Sequence, residues 1–136
     1  METDLHLIKN SDLLIKACDK WPSFHDSEII AVTLQRTKAS LTLEIDLLFF
    51  AKDLNQSITS CSQTHTIVLI KFEEISELEL YDFNHQNAIF GLYFDRQEDN
   101  LWNVTIAPAH GISSKFICKD IEILDVRTSK ILDQEQ

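Results

Sequence analysis

His25 and Asp26 stand side by side in the stretch Trp21 to Ile29, WPSFHDSEI, and an imidazole next to a carboxylate is a pair that can relay a proton or share a metal ion. If the chain folds back on itself, His85 and His110 could join them, and the four side chains would then make an assembled acid–base or metal site. Spacing alone does not bring them together. The five histidines, His6, His25, His65, His85 and His110, show no H-x-H, H-x-x-x-H or H-E-x-x-H pattern that would aim two rings at one metal. Cys18, Cys61 and Cys118 include no C-x-x-C pair, and none carries the surroundings of a nucleophilic thiol. Cys18 and Cys118 lie in apolar patterns and read as small core residues, whereas Cys61 lies in a polar stretch and reads as exposed. Glycine occurs only at positions 91 and 111, so no phosphate-binding loop, dinucleotide fingerprint or G-x-S-x-G turn can be written. No catalytic residue, cofactor or metal is therefore assigned. An enzymatic or small-molecule-binding domain using His25 and Asp26 stands as the alternative function.

A second kind of chemistry lies in EEISELELYD, Glu73 to Asp82, where five acids occur without a lysine or arginine. If Ile75, Leu78 and Leu80 turn inward, strand alternation sends Glu77, Glu79 and Tyr81 outward together, with Asp82 following. Such a face is either a solvated strand edge protected by charge or an acidic, tyrosine-bearing docking stripe for a basic protein. Glu77, Glu79, Tyr81 and Asp82 are the candidate partner-binding residues. The whole chain carries a formal charge of −10 and a pI near 4.8, which argues against nucleic acid or an anionic membrane as partner.

The elements that would position these groups are mostly strands. Leu13, Leu14, Ala17 and Cys18 recur at helical spacing from Ser11 to Lys20, with Asn10 or Ser11 available to cap the start and Pro22 to stop the helix. After that the period becomes two. Ile30, Val32 and Leu34 alternate with polar or small residues over Glu28 to Arg36, and Leu41, Leu43, Ile45 and Leu47 do so over Leu41 to Phe49. Further strands are expected at His65 to Phe72, Ile75 to Phe83, Asn87 to Arg96, Leu101 to Ala107, Ser114 to Cys118 and Ile121 to Val126. The expected fold is α+β, a largely antiparallel sheet of about seven to eight strands with one N-terminal helix packed on it. Residues 1–136 are expected to form one domain, because a chain of this length suffices for one core. The polar stretch Lys52 to Thr64 reads as a long loop and a secondary binding candidate, and Ser129 to Gln136 as a solvated tail. Gly91 reads as a bulge or close-packing position, Gly111 as a turn, and Trp102 and Phe94 as core. No apolar run approaches the length of a membrane span, and the acidic start lacks the pattern of a secretory signal, so a cytoplasmic location is expected.

Three segments together resemble a known family. WPSFHDSEI, then LYDFNHQNAIFGLYF (Leu80 to Phe94), then HGISSKFICKDIEILDV (His110 to Val126) are similar to the immunity protein 50 family of bacterial polymorphic toxin systems, over about residues 21–127. The resemblance implies a non-enzymatic protein that binds and neutralises a cognate toxin domain; a basic toxin, and a chain that is a monomer or weak homo-oligomer, are expected. It transfers no active residues, and it leaves the toxin's own activity open. In this reading WPSFHDSEI is architectural: Trp21 and Phe24 anchor the end of the helix, Asp26 accepts backbone N–H groups, and His25 locks the turn by a hydrogen bond.

Overall fold

Strands with one apolar face and short connections hide that face most simply against a second sheet. The computed structural model describes residues 2–47 and 64–130. A short 3-10 segment (Glu2–Leu7) and helix α1 (Ser11–Cys18) precede eight strands. These are β1 (Glu28–Gln35), β2 (Ser40–Asp46), β3 (Thr64–Glu73), β4 (Ser76–Tyr81), β5 (Ile89–Arg96), β6 (Trp102–Pro108), β7 (Ser113–Cys118) and β8 (Asp120–Lys130). They form two four-stranded sheets, ordered β1-β2-β3-β8 and β4-β7-β6-β5, and every neighbouring pair is antiparallel. The expected class, strand number and N-terminal helix are thus present, with the strands divided between two sheets. The helix lies against β8, while each sheet buries its apolar face mainly on the other.

The core shows why. Leu43, Ile45, Val68, Ile70 and Ile123 of the first sheet and Val104 of the second are fully buried, and each such side chain contributes about 1.5–3 kcal/mol of transfer free energy. The Phe72 ring crosses between the sheets, meeting Phe94 at 5.8 Å and Phe116 at 5.1 Å, both edge-on. Trp102 and Phe94 lie in this core, as do the thiols of Cys18 and Cys118.

Two seams join the sheets. On one side β3 leads into β4 and β7 into β8, so that Glu73 pairs with Asp120 and, after the corner, Ser76 pairs with Ile117. Lys119 N donates to Glu73 O at 3.0 Å across that corner. On the other side the start of β1 bonds to the start of β5, through Ile29 N to Asn87 O (3.0 Å) and Ile89 N to Ser27 O (2.9 Å). Next to this seam the Trp21 ring packs edge-on to Phe24 (5.9 Å) and Phe94 (6.2 Å), as the architectural reading of WPSFHDSEI requires.

Several local details differ from the pattern-based reading. Helix α1 ends at Cys18, where Asp19 turns left-handed (φ 67°), and Pro22 lies beyond that stop. Asn10 makes no side-chain cap; its Nδ2 instead reaches Glu122 Oε2 and Ile123 O of β8, both at 3.5 Å. Lys9 bonds to the outer edge of β8 through Ile121 O and Ile123 N, both at 2.9 Å, which shields that edge from stray pairing. A bulge between Ile29 and Ala31 inserts Ile30 into β1, so Ile29 is the buried residue while Ile30 and Leu34 are exposed. Strand β8 continues through Lys130, with Ser129 paired to His65, so the tail begins later than expected. Cys61, the end of the predicted strand at Leu48–Phe49, and the loop reading of Lys52 to Thr64 up to its last residue lie outside the described residues, as does the tail from Ile131.

Candidate functional site

The His25–Asp26 pair is held by β5. Asp26 N donates to Ile89 O at 3.0 Å, and His25 Nδ1 lies 3.1 Å from Phe90 O, with its ring edge-on to the Phe90 ring at 5.2 Å. His25 thus locks the turn, and its Nε2 sits 3.6 Å from Asp26 Oδ2. The Asp26 carboxylate is 67% exposed and makes that contact alone; no backbone N–H donates to it among the described residues. Glu28 does the work foreseen for Asp26, its Oε2 accepting Asn87 N at 2.6 Å. His85 and His110 carry exposed rings that make no hydrogen bond, ion pair or ring contact with a described residue. The structure therefore brings together His25 and Asp26 but not the four-residue set. No group of three His, Cys, Asp or Glu side chains that could hold a metal occurs among the described residues.

The thiols are unsuited to attack. Burial pushes Cys18 up to about 11, with Asp19 adding to the effect, and burial pushes Cys118 up to about 12, helped by Asp120. Both remain protonated near neutrality, and the thiol form is a poor nucleophile.

What the three distant segments do assemble is a junction around Asn87, which is 3% exposed. Its Oδ1 accepts Asn84 N (3.0 Å) and Ile112 N (3.2 Å), and its Nδ2 donates to Asn84 O (2.6 Å). Gly111, at φ 84°, passes so close that a Cβ there would lie 2.6 Å from Asn87 Oδ1 and would also strike Gln86 O. Only glycine fits both demands. This junction was invisible in the pattern, where Asn87 reads as a strand start; the dense run of polar residues in DFNHQN was the one available signal.

The acidic stretch lies on β4, whose only strand partner among the described residues is β7. A bulge between Ser76 and Glu79, with Glu77 at φ 54°, re-aims the strand so that Leu78 and Leu80 are half-buried while Glu77, Glu79, Tyr81 and Asp82 are exposed. Ser114 Oγ donates to Glu79 O at 2.7 Å and fastens the bulge to β7. None of the four side chains has an ion pair or hydrogen-bond partner among the described residues. Tyr81 is 57% exposed and lies in the chain between the exposed acids Glu79 and Asp82. No helix among the described residues is long and apolar enough to cross a membrane.

The family described as Immunity protein 50 matches residues 10–129 of the chain. No curated protein and no solved structure matches the chain.

Proposed function

Because the chain belongs to the immunity protein 50 family, we propose that it is a non-enzymatic immunity protein that binds a cognate toxin domain and blocks it. The toxin domain is basic, and Glu77, Glu79, Tyr81 and Asp82 form part of the surface it meets. The observation that carries this reading is the edge of β4: exposed carboxylates with no ion-pair partner among the described residues precede and follow an exposed tyrosine on a strand fastened to β7. A partner that pairs with these carboxylates breaks no existing ion pair, and surface charge raises the encounter rate with a partner of opposite sign. Tyrosine supplies contact area at small entropic cost, which is why it recurs where binding energy concentrates.

Co-expression with the toxin domain encoded beside this chain tests the proposal. Cells survive, and the two proteins leave a gel-filtration column together. Undiminished killing with no co-eluting complex would refute it.

A further inference from the structure

The outward faces of the two sheets differ in how their charges are used. On the first sheet Arg127 reaches Glu44 at 3.7 Å and Asp125 at 3.5 Å, and Lys71 reaches Glu73 at 3.1 Å. Charges already satisfied within the chain offer a partner little. Around the second sheet lie the exposed acids Glu77, Glu79, Asp82, Asp95, Glu98 and Asp99, none in an ion pair among the described residues. Lys115 on β7 and Lys119 just beyond it are exposed bases beside them, and Arg96 lies over the Trp102 ring at 4.9 Å.

The relief of this second face is also specific. Register places Glu79, Lys115, Thr105 and Tyr93 in one row across β4, β7, β6 and β5. The next row holds Tyr81, Ser113, Ala107 and Gly91, with Ser113 and Ala107 one residue beyond the Ser114–Ile106 pair. A Cβ on Gly91 would strike the Tyr93 phenol, so that ring lies back across Gly91. Two tyrosines therefore flank a floor of small side chains. Tyr81 and Gly91 are three strand spacings apart, roughly 14 Å at about 4.8 Å each, and a helix with side chains is about 10–12 Å wide. Beyond Thr105 the β5–β6 turn helps to form an open cleft of about 490 Å³, lined by Gln97, Glu98, Asp99, Leu101, Asn103 and Ile117. Ile117 there can support the aliphatic stem of a lysine or arginine whose head group meets the carboxylates.

We infer that the cognate toxin domain seats a basic, convex element on the outward face of this second sheet, between Tyr81 and Tyr93, with a lysine or arginine entering the Glu98–Asp99 cleft. The inference rests on the immunity reading and extends its contact surface from β4 across the sheet to β5.

The test uses the whole chain and the purified toxin domain encoded beside it. Ala107→Arg places a long cation on the floor, Gly91→Ala displaces the Tyr93 ring, and Thr33→Arg adds the same cation on the exposed edge of the first sheet as control. Titration calorimetry is expected to show a loss of about 30-fold or more for Ala107→Arg, the size of a hot-spot loss, a smaller loss for Gly91→Ala, and none for Thr33→Arg. Hydroxyl-radical footprinting of the unmodified complex is expected to protect Tyr81 and Tyr93, and it decides the matter if Ala107→Arg does not fold. Wild-type binding with an unimpaired, folded Ala107→Arg variant, or with Tyr93 unprotected in the complex, would overturn the inference and leave the immunity reading standing. Absence of wild-type binding would overturn both.

Discussion

Replacing Asn87 by alanine removes three side-chain hydrogen bonds at once, at 2.6, 3.0 and 3.2 Å. The costliest consequence is at Ile112, itself fully buried, whose N–H loses its acceptor. A buried donor left without a partner costs about 1–3 kcal/mol, and each of the two half-buried bonds contributes about 0.5–1.5 kcal/mol net. The expected loss is therefore about 2–6 kcal/mol, a large share of a typical domain's stability of about 5–15 kcal/mol. With a urea slope of about 2 kcal/mol per molar, the middle of the usual range, the midpoint should fall by about 1–3 M at unchanged slope. Asn87→Asp sharpens the test: it keeps an acceptor for Ile112 N but loses the donor to Asn84 O and sets a carboxylate near Glu28, whose Oε2 bonds Asn87 N at 2.6 Å. Repulsion and burial would raise the folded-state pKa of that new carboxyl. Its deficit should then be small below the unfolded pKa of about 3.9 and should grow as pH rises through the folded value. A midpoint for Asn87→Ala within about 0.3 M of wild type would refute the claim that this residue holds the junction.

Gly111→Ala should be as damaging by another route, because φ 84° and the approach of Asn87 Oδ1 leave no room for a methyl group; a melting temperature equal to wild type would contradict this. In a Cys61→Ser background, Cys18 and Cys118 should resist a thiol-specific reagent at pH 8 until denaturant is added, since burial holds them near 11 and 12; prompt labelling of native protein would contradict their placement. The hydrogen bond from Lys71, assisted by Lys38, holds Glu73 below the usual carboxylate range. Its contribution is present above the unfolded pKa of about 4.3 and lost as pH falls through the lower folded value, so Glu73→Gln should flatten the acid limb of the stability–pH curve below about pH 4. An unchanged acid limb would show that this pairing contributes nothing.

The strands were legible because a half-buried strand has a period of two that nothing else produces. Leu41, Leu43 and Ile45 against Thr42 and Glu44 needed only that rule, as did the outward turn of Glu79 and Tyr81 beside Leu78 and Leu80. The division into two sheets was not legible, since alternation within β3 or β4 reads the same whichever sheet receives it. The Ile30 bulge escaped because a bulge changes pairing without changing composition. The exchange of roles between Asp26 and Glu28 depends on where the Asn87 loop arrives, about sixty positions away in sequence. For the same reason β4's carboxylates could be read locally, whereas the alignment of Tyr93 with Thr105, Lys115 and Glu79 exists only once β5, β6, β7 and β4 are paired.

Neutralisation of the toxin is the property on which the proposed function depends. The most direct measurement titrates the activity of the purified toxin domain encoded beside this chain with the purified chain itself. The expected result is activity that falls linearly and vanishes at an equimolar ratio, with an association rate that slows as salt is raised because unpaired carboxylates steer the encounter. Full toxin activity in a large excess of folded chain would contradict it.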